Sequence, residues 1–152
     1  MSFEVPYFPL LPMTNVVASF PLAIFKISSA ALPLLLSEKL SAKVTAIHVM
    51  QDIPVLHIQS EKLLRELLDA YKKEGQLILS KCSDLATRKG LSINTKLLQG
   101  SAGSTILDFC EKEKYDIIIM GSRGMGKFKE LVLGSVSSKV VHHSSCPVMI
   151  IR

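Results

Sequence analysis

Apolar positions along this chain fall into short continuous runs that alternate with longer amphipathic stretches. Lys43 to Met50 (KVTAIHVM), Asp116 to Met120 (DIIIM) and Val148 to Ile151 (VMII) are mostly apolar and rich in β-branched residues. Runs of that length and composition predict strands buried on both faces. Asn15 to Ser19 predicts a shorter strand. Leu91 to Leu98 alternates apolar and polar positions, which suits a strand nearer a sheet edge. Helical patterns lie between these runs. An apolar helix is expected near Ser28 to Leu40, after Pro21. The longest helical pattern spans Ser60 to Lys89, with Ser60 placed to cap it, Glu61 in its first turn and Gly90 after its end. Leu63, Leu64, Leu67, Leu68 and Tyr71 recur there at helical spacing, and Gly75 is expected to weaken the middle. A small-residue turn, Gly100 to Ser104, leads into a short helix through Thr105, Ile106, Phe109 and Cys110. Gly134-Ser135 opens a last helical run. Such alternation implies one α/β domain with a parallel sheet and helices on both faces. Ligands of such sheets sit beyond the carboxyl ends of the strands.

Composition agrees with this reading. Hydrophobic residues make up 48% and aromatic residues 6%, with no Trp. An aliphatic core of that kind suits parallel α/β packing. The net charge of +5 favours anionic partners. The basic residues are scattered, with no run or aromatic-basic ladder that would point to nucleic acid. Cys82, Cys110 and Cys146 form no CxxC pair, and this sparse, odd count argues for a reduced, cytoplasmic compartment. His48, His57, His142 and His143 have no zinc-ligand spacing with them. The stretch from Val16 to Leu36 approaches the length of a membrane span. No basic residue precedes it, Lys26 interrupts it, and Pro21 and Pro33 punctuate it. These features argue against a span or a signal peptide.

The richest chemistry lies in the last third. The strand ending at Met120 runs into Gly121-Ser122-Arg123-Gly124, a basic loop follows, and Gly134-Ser135 then opens a helix. Glycine lets the backbone approach an anion closely, and free N–H groups at a helix N-terminus point toward it. Three phosphate motifs compete here. Gly121 to Lys127 approximates a Walker A loop, but Phe128 stands where Ser or Thr should hold Mg²⁺. Gly124-Met125-Gly126 begins a dinucleotide fingerprint, but Lys129 occupies its third glycine position. The third is the spacing Gly121, two residues, Gly124, nine residues, Gly134-Ser135. Structural readings stay open beside the functional one. Gly121 and Gly124 would also serve a tight turn, Ser135 would also serve as a helix cap, and Val49 would also serve as ordinary core.

On that third spacing the chain resembles the universal stress protein family. IIIMGSRG, LVLGSVSSKVV, SSCPVMII and AKVTAIHVM carry the likeness, which covers residues 28 to 152. The resemblance implies a doubly wound, Rossmann-like five-stranded parallel sheet in the order 3-2-1-4-5. It also implies a homodimer through the C-terminal strand, and ATP, with or without Mg or Mn, in a cleft at the strand ends. Gly121, Ser122, Arg123 and Gly124 would then line the ribose and phosphate path. Gly134, Ser135, Val136 and Ser137 would hold the phosphate tail through N–H and hydroxyl groups, and Val49 would face the adenine. The chain would be an ATP-binding regulatory protein of the stress response, with protein clients that the sequence does not name. The family's ATP-binding members carry an acid at the end of the first strand. This chain has no Asp before Asp52, and Glu4 is too early. That departure leaves room for a second function class, a dimeric interaction module that does not bind adenosine nucleotides. It also marks the first 27 or so residues as divergent, rearranged or incorrectly derived.

No catalytic constellation stands out. No Ser/His/Asp set lies in a nucleophile elbow, and no paired carboxylates flank the glycine loop. Asp116 precedes its strand, at the wrong end for chemistry at Gly121. His142 and His143 lie late in the last helix. ATP hydrolysis, if any, is expected to be slow and incidental.

Overall fold

A computed structural model of the chain describes residues 15–19, 41–52, 60–122 and 133–151. The expected helix near Ser28 to Leu40, the prolines Pro21 and Pro33, and the basic loop with Arg123, Gly124, Lys127 and Lys129 lie outside these residues. The described elements are β1 (Asn15–Ser19), β2 (Lys43–Met50), α1 (Glu61–Arg88), β3 (Asn94–Gln99), α2 (Ala102–Glu113), β4 (Ile117–Gly121), α3 (Ser135–His143) and β5 (Val148–Ile151). The strands form one sheet in the order β3-β2-β1-β4-β5. Every pairing is parallel.

The strand sequences explain the layering. Side chains alternate between faces along a strand, and here both sides of the alternation are apolar. Val17, Ile47, Ile118 and Met120 point to one face, where Ile106 and Cys110 of α2 and Val140 of α3 cover them. Val16, Val44, Ile117 and Ile119 form a second buried cluster. Ala46 meets Leu79 and Cys82 of α1 in a third. Helices therefore lie on both faces, as the continuous apolar runs require.

The helix α1 packs on the sheet through its second half. Its N-terminal leucines mark a helix by their spacing, but Leu63 and Tyr71 are exposed and Leu64, Leu67 and Leu68 only half-buried. The residues that reach the sheet are Gly75, Leu79, Cys82 and Ala86, spaced four, three and four apart. Gly75 is a contact point. A Cβ there would lie 2.6 Å from Leu97 Cδ1 and 2.9 Å from His48 Cδ2. Ser60 caps α1 as expected, its Oγ accepting from the Leu63 N–H at 3.4 Å. At the other end the Gly90 and Leu91 N–H groups donate to the Thr87 and Ala86 carbonyls. Gly90 has φ +71°, the left-handed conformation of this helix stop. Leu91 is thereby spent on capping, and β3 begins three residues later than the alternation alone suggests.

Candidate functional site

The carboxyl ends of β2, β3 and β4 face one end of the sheet, and two helix N-termini meet there. The end of β4 is tied to the start of α3 through one carbonyl. Ser122 O accepts from the Gly134 N–H at 2.9 Å and from the Ser137 hydroxyl at 2.9 Å. The Ser122 N–H in turn donates to Ile151 O at 2.9 Å, which fixes the junction to β5. Gly134 is the N-cap of α3 and supplies no side-chain cap. The Ser138 N–H returns to Gly134 O at 2.8 Å. The N–H groups of Ser135, Val136 and Ser137 therefore lack intrahelical acceptors, as in any first turn.

The end of β3 is arranged similarly. The Gly100 N–H donates to Met50 O at 2.9 Å, joining the ends of β3 and β2. Gly100 has φ +136°, and a Cβ there would lie 2.7 Å from Thr105 Oγ1, so only glycine fits this turn. Ser101 caps α2 with no side-chain hydrogen bond. Gly103, in the first turn of α2, lets α3 come close. A Cβ at that position would lie 2.8 Å from Lys139 Cδ. The Lys139 stem lies over Gly103, and its Nζ donates to Ser104 Oγ at 2.7 Å.

Between these ends lies a cleft of about 420 Å³, lined by Gln51 and Asp52 after β2, Gly100 to Gly103, and Ser135, Val136 and Lys139 of α3. Its size falls within the range of small-molecule sites, about 300–1,000 Å³. One wall carries the Asp52 carboxylate, whose Oδ1 accepts from Gln99 Nε2 at 3.2 Å. Another carries the Lys139 ammonium. Among the described residues, no group of three or more His, Cys, Asp or Glu could hold a metal ion. No described helix is long and apolar enough to cross a membrane.

The residues singled out in the sequence occupy distinct places. Ser135 and Val136 line the cleft, and Gly134 caps the helix that carries them. Ser137 is buried, and its hydroxyl donates to the Ser122 and Gly134 carbonyls, so its proton is engaged within the fold. Gly121 pairs with Ile151 at the end of β4. Val49 packs against the core cluster of Val17 and Ile47, one residue short of the end of β2, and is not among the cleft-lining residues. Arg123 and Gly124 lie outside the described residues.

Asp52 and Lys139 were not singled out as site residues. Asp52 follows a strand's carboxyl end, the position where ligands of such sheets gather. Lys139 stands four residues after Ser135 and so shares its helix face.

The sequence matches the universal stress protein family over residues 29–152, and the chain belongs to that family. It is 34% identical over 120 residues to universal stress protein MJ0531 of Methanocaldococcus jannaschii, a match covering 77% of this chain and 69% of that relative. The chain spans from 41% to 69% of the length of the first curated relatives that it matches. In fold it is similar to universal stress protein UspA from Lactobacillus plantarum, with a TM-score of 0.79, 24% identity, and coverage of 93% of this chain and 99% of that one. It is also similar to a universal stress protein family protein from Arabidopsis thaliana solved with AMP bound. That likeness has a TM-score of 0.63, 21% identity, and coverage of 91% of this chain and 90% of the other.

Proposed function

We propose that this chain binds ATP in the cleft at the strand ends and acts by that occupancy as a regulatory protein of the stress response. The phosphate tail rests on the first turn of α3, against the N–H groups of Ser135, Val136 and Ser137. Gly121 and Ser122, at the end of β4, border the path to it, and the same assignment extends by sequence to Arg123 and Gly124. The observation that carries the reading is the glycine N-cap at Gly134, which puts no side chain of its own over those N–H groups. An anion there is favoured by donors that the helix itself leaves unpaired and by the helix dipole. The donor set suits phosphate oxygens, which only accept. Any Mg or Mn would come with the nucleotide. Family membership and the AMP held by the Arabidopsis relative add support.

The same reading gives the chain a homodimer through β5. That strand is paired to β4 and stands last in the sheet, where unpaired N–H and C=O groups invite a second copy.

Replacing Gly124 and Gly134 together with valine tests the site. Gly134 has φ −65°, which valine tolerates, and a thermal melt of the double variant checks that the fold persists. Labelled ATP should bind wild type and fail to bind the double variant. Equal binding to both would contradict the assignment.

A further inference from the structure

The cleft has charge of opposite sign on two of its walls. Asp52 stands beyond β2, on the side where β2 and β3 end. Lys139 stands on α3, with its stem over Gly103 of α2. Each is held by a neutral partner and not by the other. Gln99 Nε2 donates to Asp52 Oδ1 at 3.2 Å, and Lys139 Nζ donates to Ser104 Oγ at 2.7 Å. Neither contact exhausts its group. A carboxylate offers about four acceptor sites, and an ammonium has three donors. Among the described residues, Asp52 is the carboxylate lining the cleft and Lys139 the ammonium lining it.

Two consequences follow from charge alone. A polyanion is repelled by the carboxylate and drawn to the ammonium, so its charge settles on the α3 side. A group facing Asp52 gains only if it donates, because a carboxylate accepts hydrogen bonds and gives none. A ligand suited to both walls therefore has an anionic end and a hydroxyl- or amino-bearing end. Inorganic phosphate chains have only the first, and free nucleosides only the second.

We propose that the cleft holds a phosphorylated nucleoside in one orientation, with a phosphate on Lys139 and a hydroxyl or amino group of the nucleoside on Asp52. The proposal rests on the reading that the cleft is a nucleotide site, and it adds two side chains that set direction and selectivity. Lys139 supplies charge to the phosphate end beside the backbone donors of Ser135 and Val136. Asp52, steadied by Gln99, makes the site prefer a nucleotide to a bare polyphosphate.

Calorimetric titration of ATP and of inorganic tripolyphosphate tests this on wild type, Asp52→Ala and Lys139→Met. Asp52 and Lys139 are both exposed, and methionine keeps an unbranched stem over Gly103, so the fold should persist in both variants. A thermal melt of each checks that it does. Lys139→Met should weaken ATP and tripolyphosphate together, each by about tenfold or more. Asp52→Ala should weaken ATP by about tenfold and leave tripolyphosphate unchanged or tighter, because a negative charge is gone. The proposal falls if Asp52→Ala leaves ATP binding unchanged or weakens both ligands alike. It also falls if Lys139→Met alters neither, or if wild type takes ATP but no tripolyphosphate at millimolar concentration. In each of these cases wild type still binds ATP, and the nucleotide reading stands. Wild type that binds neither ligand overturns both.

Discussion

The Ser137 hydroxyl donates to the Ser122 carbonyl oxygen at 2.9 Å, across fifteen positions of sequence. This contact fixes the first turn of α3 against the end of β4, where the proposed phosphate site lies. Ser137→Ala removes it but orphans neither acceptor, since Ser122 O keeps the Gly134 N–H and Gly134 O keeps the Ser138 N–H. The expected cost is that of one ordinary hydrogen bond, about 0.5–1.5 kcal/mol. Urea unfolding should report it as a lower midpoint at unchanged slope. ATP binding should weaken with it, as the first turn loses its anchor.

Gly75 gives a prediction whose sign separates two roles. At an exposed helix position, alanine in place of glycine would stabilise by about 0.8–1.0 kcal/mol. Here the new methyl group would overlap Leu97 Cδ1 and His48 Cδ2. The half-buried Leu97 tip can shift, but the His48 ring is buried; overpacking costs about 1–3 kcal/mol, so Gly75→Ala should be destabilised by a net of about 1 kcal/mol. A stabilised variant in chemical denaturation would mean that α1 does not press on β2 and β3 at this point.

The thiols predict a loss of stability at high pH. Burial pushes the Cys82 thiol from its ordinary 9.0 up to about 11. Burial, with the nearby Cys146 thiol adding to it, pushes Cys110 up to about 12. The folded chain thus keeps protons that the unfolded chain releases above pH 9. Stability falls wherever the unfolded state holds fewer protons. The contribution of these groups is intact below about pH 9 and drains away between about pH 9 and 12. Melting temperature measured across the alkaline range should fall less steeply in Cys110→Ala than in wild type. Parallel slopes would refute this source of alkaline sensitivity.

The proposed dimer is best tested at Met149. Val148 and Ile150 pack against the core cluster and charges there would disturb the fold itself, whereas Met149 points the other way and is 36% exposed. Wild type should sediment as a dimer at micromolar concentration, and Met149→Asp should shift it toward monomer while its melting transition remains cooperative. A wild-type monomer, or a dimer indifferent to this charge, would remove β5 as the interface.

Much of this architecture was legible because parallel strands buried on both faces leave long apolar signatures. The observed ends of β1, β2 and β5 coincide with the runs Asn15 to Ser19, Lys43 to Met50 and Val148 to Ile151. Where the pattern misled, a second physical role competed. Leu91 fits the alternation of β3 but closes the end of α1. Gly75 reads locally as a weak point of a helix, and only packing against His48 and Leu97 makes it necessary. The glycine spacing that the proposed phosphate site rests on could be read from sequence because it is local. The cleft's two charged side chains were not. Asp52 and Lys139 stand far apart in sequence, and sheet order together with the close approach of α2 and α3 at Gly103 places them around one cleft. Ser137 carries the opposite lesson. The family resemblance implied a ligand hydroxyl there, but its proton is engaged by two carbonyls.

The proposed site puts nucleotide phosphates on the first turn of α3. The most direct test is to titrate ATP into the isotope-labelled protein and follow its backbone amide resonances. The Ser135, Val136 and Ser137 N–H signals should move first and furthest, saturating together with Gly134. An ATP titration that leaves these four amides still, or that moves a different part of the fold instead, would rule out that placement.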